Sequence, residues 1–173
     1  MKALLRKGLA FASTLAGGVS AHAQSPRPPE TEAPSERVVR VATVDPAMAA
    51  AIQTARASLP YFLALAERPS HDQTDFMIKV GLPYDSGVEY IWMMPFRRQG
   101  SEFVGEVSNT PKYFPGLKLG QSAIFDEDNI VDWAYRKNGV PQGHYTTCVL
   151  VSRLKPAERT FYLTSYGLRC DRK

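Results

Sequence analysis

The 173-residue sequence is poor in the residues that most often carry chemistry. It has two cysteines, Cys148 and Cys170, and three histidines, His22, His71 and His144. No C-x-x-C, H-E-x-x-H or glycine-rich phosphate loop occurs, and Gly120-Gln121-Ser122-Ala123-Ile124 lacks the second glycine of a nucleophile elbow. A zinc site built from histidine pairs at helical spacing is therefore excluded, and no catalytic residue, metal ligand or cofactor is expected. The chain also lacks a cluster of Lys and Arg, and with it the electrostatic footprint of a nucleic-acid binder. Long apolar runs are missing too. The longest, residues 8–19, falls short of the roughly 20 residues that a membrane-spanning helix needs.

That short run has its own meaning. It follows the basic residues Lys2, Arg6 and Lys7 and precedes Ala21-His22-Ala23, which puts small residues at the −3 and −1 positions of a cleavage site. Residues 1–23 thus read as a secretory signal peptide cut between Ala23 and Gln24. No cysteine follows the cut, so no lipid anchor is expected after cleavage, and the mature protein is expected to be periplasmic or secreted. Removing three of the 21 basic residues leaves 18 against 17 acidic ones, close to neutrality. Both cysteines would then lie in an oxidising compartment, where paired cysteines tend to be bonded. A Cys148–Cys170 disulfide closing 22 residues would contribute about 3 kcal/mol on the chain-entropy account. The competing reading is two thiols that never meet.

Residues 24–37 hold four prolines and no large apolar side chain, a composition that cannot bury enough surface to offset ordering, and read as a disordered spacer. Residues 38–173 form the single domain. Asp45-Pro46 is a helix start, and Met48, Ile52, Ala55, Leu59, Phe62 or Leu63, and Ala66 recur on one helical face. Pro60 is expected to kink or split that helix. Strands are expected near 75–81, 88–96, 102–108, 122–125, 130–137 and 144–153, with tight hairpins at Gln99-Gly100 and Asn138-Gly139. Pro156 suits a short terminal helix, although Thr160-Phe161-Tyr162-Leu163 would equally suit a seventh strand. The pattern predicts an α+β domain, its N-terminal helix packed on a strongly bent antiparallel sheet or small half-open barrel of five to six strands.

Two readings compete for several residues. The acidic run Asp126-Glu127-Asp128, with Asp132 behind it, suggests calcium, but the EF-hand spacing fails at Ile130 and Val131, which favours a solvated turn. Trp92 and Trp133 lie in strands, where large aromatics usually pack in the core. With Asp132, Tyr135 and Tyr145 they also define a candidate binding surface.

Six phrases then fall in order: Phe76-Met77-Ile78-Lys79-Val80, Glu89-Tyr90-Ile91-Trp92, 103–109, Leu117-Lys118-Leu119-Gly120-Gln121, 130–135 and Gly143-His144-Tyr145-Thr146. Together they resemble the YegJ-like bacterial family, domain of unknown function 2314. The resemblance implies one small domain and brings no activity with it. Its Gly105, Gly120, Gly143 and Asn109 are of the kind that build turns and close approaches. Thr147-Cys148 departs from the arginine-containing strand that follows in the family, so the disulfide is not part of what the resemblance implies. The expected function is non-enzymatic: an immunity-like or envelope-accessory domain that binds a protein or peptide partner in the cell envelope. The alternative is an envelope hydrolase using Glu89, Asp128 or Asp132 as acid or base.

Overall fold

The structure is a computed structural model and describes residues 45–171. The expected signal peptide, cleavage site and spacer lie outside the described residues.

Helix α1 (Pro46–Glu67) starts where Asp45, in extended conformation, accepts the Met48 N–H at 3.2 Å, with proline at the first helical position. Its buried face is Met48, Ala51, Ile52, Ala55, Leu59, Phe62 and Leu63. Pro60 does not divide it; the helix continues as one element of 22 residues. Pro60 is exposed, on the side where water can satisfy the carbonyl that the proline leaves free.

Six strands follow: β1 (Gln73–Tyr84), β2 (Gly87–Gln99), β3 (Glu102–Val107), β4 (Ser122–Asp126), β5 (Ile130–Lys137) and β6 (Val140–Gly143). They form one open antiparallel sheet in the order β4-β3-β2-β1-β5-β6. Asn138 and Gly139, both at positive φ, make the two-residue β5–β6 turn as their sequence predicts. The β2–β3 turn is Gly100-Ser101, one residue later than expected. The acidic run ends β4 at Asp126 and continues into a single 3₁₀ turn, Glu127–Asn129, before β5.

One sheet face carries the core. Ile78, Val80, Ile91, Met93, Phe103, Phe125, Ile130 and Trp133 pack there against Ala55, Leu59, Phe62 and Leu63 of α1. Phe62 is fully buried, its ring 4.9 Å from that of Trp133. Truncating it to alanine would cost about 3–5 kcal/mol. A bulge at Val131 lets Ile130 face Val80 while Asp132 faces Lys79, so β5 changes phase without losing its pairing.

The segment expected to be the last strand is instead helix α2 (Tyr145–Ser152). Thr-Thr-Cys-Val-Leu-Val favours β structure locally, but two successive residues at positive φ, Gly143 and His144, turn the chain off β6. A Cβ on Gly143 would lie 2.1 Å from the Trp133 carbonyl oxygen, so only glycine fits. Helix α3 (Pro156–Ser165) follows, as the Pro156 reading predicts, with Pro156 in its first turn. None of its residues is buried. The tail after it returns to α2, where Cys148 and Cys170 are bonded with their Cα atoms 5.2 Å apart. Among the described residues, no helix is long and apolar enough to cross a membrane.

Candidate functional site

The sheet face opposite the core carries a cross-strand row. Lys79 on β1 stands opposite Trp92 on β2 and Asp132 on β5, so all three point the same way, under α2. Asp132 is fully buried and caps α2 from 13 residues upstream. Its Oδ1 accepts the N–H groups of Trp133 (2.9 Å) and Tyr145 (3.1 Å); its Oδ2 accepts the Thr146 N–H (2.8 Å) and hydroxyl (2.6 Å). The helix N-terminus therefore has an anionic cap drawn from another element.

Lys79 completes the arrangement. Its Nζ donates to the hydroxyls of Thr146 (2.7 Å) and Thr147 (2.9 Å), lies 3.9 Å from Asp132 Oδ2, and sits 4.5 Å from the Trp92 ring centroid. Burial pulls its pKa from 10.5 down to about 8, against the opposing pull of the Asp132 charge. Burial likewise pushes the Asp132 carboxyl up, while Lys79 and the Thr146 and Trp133 donors oppose the rise. With its donors committed to two hydroxyls and an indole face, Lys79 fastens α2 to the sheet and presents no open nucleophile.

Beside this network the outer face opens into a cavity of about 380 Å³. Met77, Trp92, Met94 and Ala134 come from the strands, His144 and Thr147 from the start of α2, and Tyr162, Tyr166 and Leu168 from α3 and the tail. His144 meets Trp92 edge-on at 5.4 Å, and its buried Nδ1 has no hydrogen-bond partner. Burial, then the charges of Lys79 and Arg136, lower its pKa to about 4, so the ring is neutral at neutral pH.

The five residues expected to share one surface do not. Asp132 is buried in the helix cap, and Trp133 and Tyr135 are 5% and 6% exposed on the core side, where both rings pack with Phe62. The cause is that β5 is covered on both faces, so period-2 alternation no longer separates core from surface. Tyr145, half-buried, packs edge-on against Trp133 at 5.4 Å. Of the five, Trp92 and Tyr135 both line the cavity, Trp92 half-buried and Tyr135 buried. The carboxylates weighed for hydrolysis have separate duties. Glu89 accepts the N–H groups of Lys112 and Tyr113, Asp132 caps α2, and Asp128 is exposed in the 3₁₀ turn.

Lys79 and the α3 aromatics were not anticipated as site residues. A lone lysine inside Phe76-Met77-Ile78-Lys79-Val80 was the available signal, because a charge in the middle of an apolar strand needs a partner. For α3, the signal was Phe161, Tyr162 and Tyr166 in an otherwise polar segment.

An open antiparallel sheet with α1 on its core face and α2 capped by a buried acid on the other defines the class, an α+β domain. Residues 45–170 match the family described as "Uncharacterized protein conserved in bacteria (DUF2314)", and the chain belongs to that family. It is also 26% identical over 80 residues to a Neisseria meningitidis serogroup B protein named "Putative ankyrin repeat protein". That match takes in 46% of this chain and 32% of the relative, so this chain corresponds to about a third of that protein. No solved structure matches.

Proposed function

We propose that this is an exported, periplasmic or secreted, non-enzymatic domain that binds a protein or peptide partner of the cell envelope. The observation that carries the reading is α3. No residue of this helix is buried, yet Phe161 and Tyr162 on it and Tyr166 at its C-cap stand 57%, 40% and 51% exposed, with ring centroids within 6.4 Å of one another. A helix that adds no core packing and displays three clustered aromatics is what a protein contact looks like before its partner arrives. The polar chemistry supports the same reading, since Lys79, Asp132 and Thr146 are spent on holding α2. The disulfide accords with export, because such bonds persist in oxidising compartments.

The test is capture from periplasmic extract with the oxidised protein and with Phe161→Ala, a change at an exposed side chain. A partner retained by the first and lost with the second supports the reading. Identical sets of captured proteins would remove α3 as the contact.

A further inference from the structure

The space beneath α3 shares Tyr162 and Tyr166 with the aromatic patch, while Phe161 lies outside it, and it has a chemistry of its own. Its floor is the outer sheet face, where Met77 and Ala134 are register partners and Trp92 and Met94 stand beside them on β2. Its roof is Tyr162 of α3 and Tyr166 at its C-cap, stacked on each other at 5.6 Å, together with Leu168 of the tail. About 380 Å³ falls within the range of small-ligand sites, roughly 300–1,000 Å³.

The charges at the cavity decide what it would accept. Asp75 and Arg136 both line it, but they neutralise each other through a 3.3 Å contact, and Arg136 also donates to the Gly139 carbonyl. His144 is neutral. Lys79 lies on the Trp92 ring and opposes a cationic guest there, while its own donors already have acceptors, so an anion gains no free partner. What remains is thioether and aromatic surface with a neutral imidazole, suited to an uncharged aromatic group.

The roof is held covalently. Between Arg153 and Asp171, α3 is tied back by Arg159, which donates to the carbonyls of Ser152 and Leu154 at the α2–α3 connection, by Leu168, and by the Cys148–Cys170 bond. Of these the disulfide is the one covalent tie, and it anchors the far end of the segment that closes the cavity.

We propose that this cavity is a binding site for an uncharged aromatic group, formed when the Cys148–Cys170 disulfide holds α3 against the sheet. This deepens the partner-binding reading by naming the side-chain class a partner would insert, and it rests on that reading only for the source of the group.

The test uses the neutral dye N-phenyl-1-naphthylamine and its charged relative 8-anilino-1-naphthalenesulfonate, titrated into the oxidised protein, into Tyr166→Ala and into Cys148→Ser/Cys170→Ser. Tyr166 is half exposed, so its removal leaves the core untouched, and circular dichroism checks that the double variant keeps its sheet. The expected result is saturable one-to-one binding of the neutral dye to the oxidised protein, preferred over the anion, and about tenfold or more weaker in both variants. Absence of saturable binding, preference for the anion, or equal affinity in either variant would overturn the proposal. Dye binding without any captured protein would leave the cavity standing and point to a free small molecule. A captured partner with no dye binding would leave the α3 patch standing and end the cavity proposal.

Discussion

Replacing Asp132 by asparagine tests the network that joins α2 to the sheet. The carboxylate accepts from four donors at 2.6–3.1 Å, and an amide presents one acceptor oxygen in its place, with its NH₂ turned toward N–H donors. The same change strips Lys79 of its counter-charge while leaving it 5% exposed. Lowering the Lys79 pKa from 10.5 to about 8 already corresponds to about 3 kcal/mol of burial cost, and loss of Asp132 raises that cost. Breaking a buried pair from one side costs about 3–5 kcal/mol, a large part of a small domain's total stability. With an m-value near 2 kcal/mol per molar, the urea midpoint of Asp132→Asn should fall by about 2 M at pH 7. Lys79→Met/Asp132→Asn should recover at least about 1 kcal/mol of that loss, because the orphaned ammonium is gone. A single variant within about 1 kcal/mol of the parent, or a double variant whose loss equals the sum of the two singles, would refute the reasoning.

Because Lys79 has a folded pKa depressed below its unfolded one, the unfolded state binds more protons between pH 8 and 10.5. Stability should therefore rise with pH from about 8 to 9.5 in urea titrations, and Lys79→Met should flatten that rise; above pH 10 the raised pKa of half-buried Tyr90 works in the opposite sense. Gly143→Ala should cost more than about 2 kcal/mol by thermal or urea denaturation, since it combines positive φ with a Cβ pressed into Trp133. Reducing Cys148–Cys170 should lower stability by about 3 kcal/mol, and limited trypsin should then cut first at Arg159 or Arg169, with unchanged sites counting against α3 being held by the bond.

The parts of the fold that were legible in the sequence rest on short-range chemistry. Asp45-Pro46 starts α1 through its own side chain three residues away, and Asn138-Gly139 turns because those two residues tolerate positive φ. Helix α2 was not legible because what decides it is remote. Its cap is Asp132, and its phase follows from the close approach of Gly143 to Trp133. Local β preference in Thr146-Thr147-Cys148-Val149 lost to a tertiary cap. Asp132, Trp133 and Tyr135 looked like one surface because alternation along β5 assumes a free face, and here both faces are covered. The cysteines were legible as a pair, but their consequence, a helix fastened over the outer face, needed α2 to be a helix first.

The central claim, that α3 is the contact for a protein partner, is tested most directly by placing a photo-activatable phenylalanine analogue at position 161 in cells of the native host. Position 101, the exposed serine of the β2–β3 turn, serves as the control. Irradiation should yield a discrete adduct from position 161 and none from position 101. No adduct at 161, or the same adducts from both positions, would contradict the account.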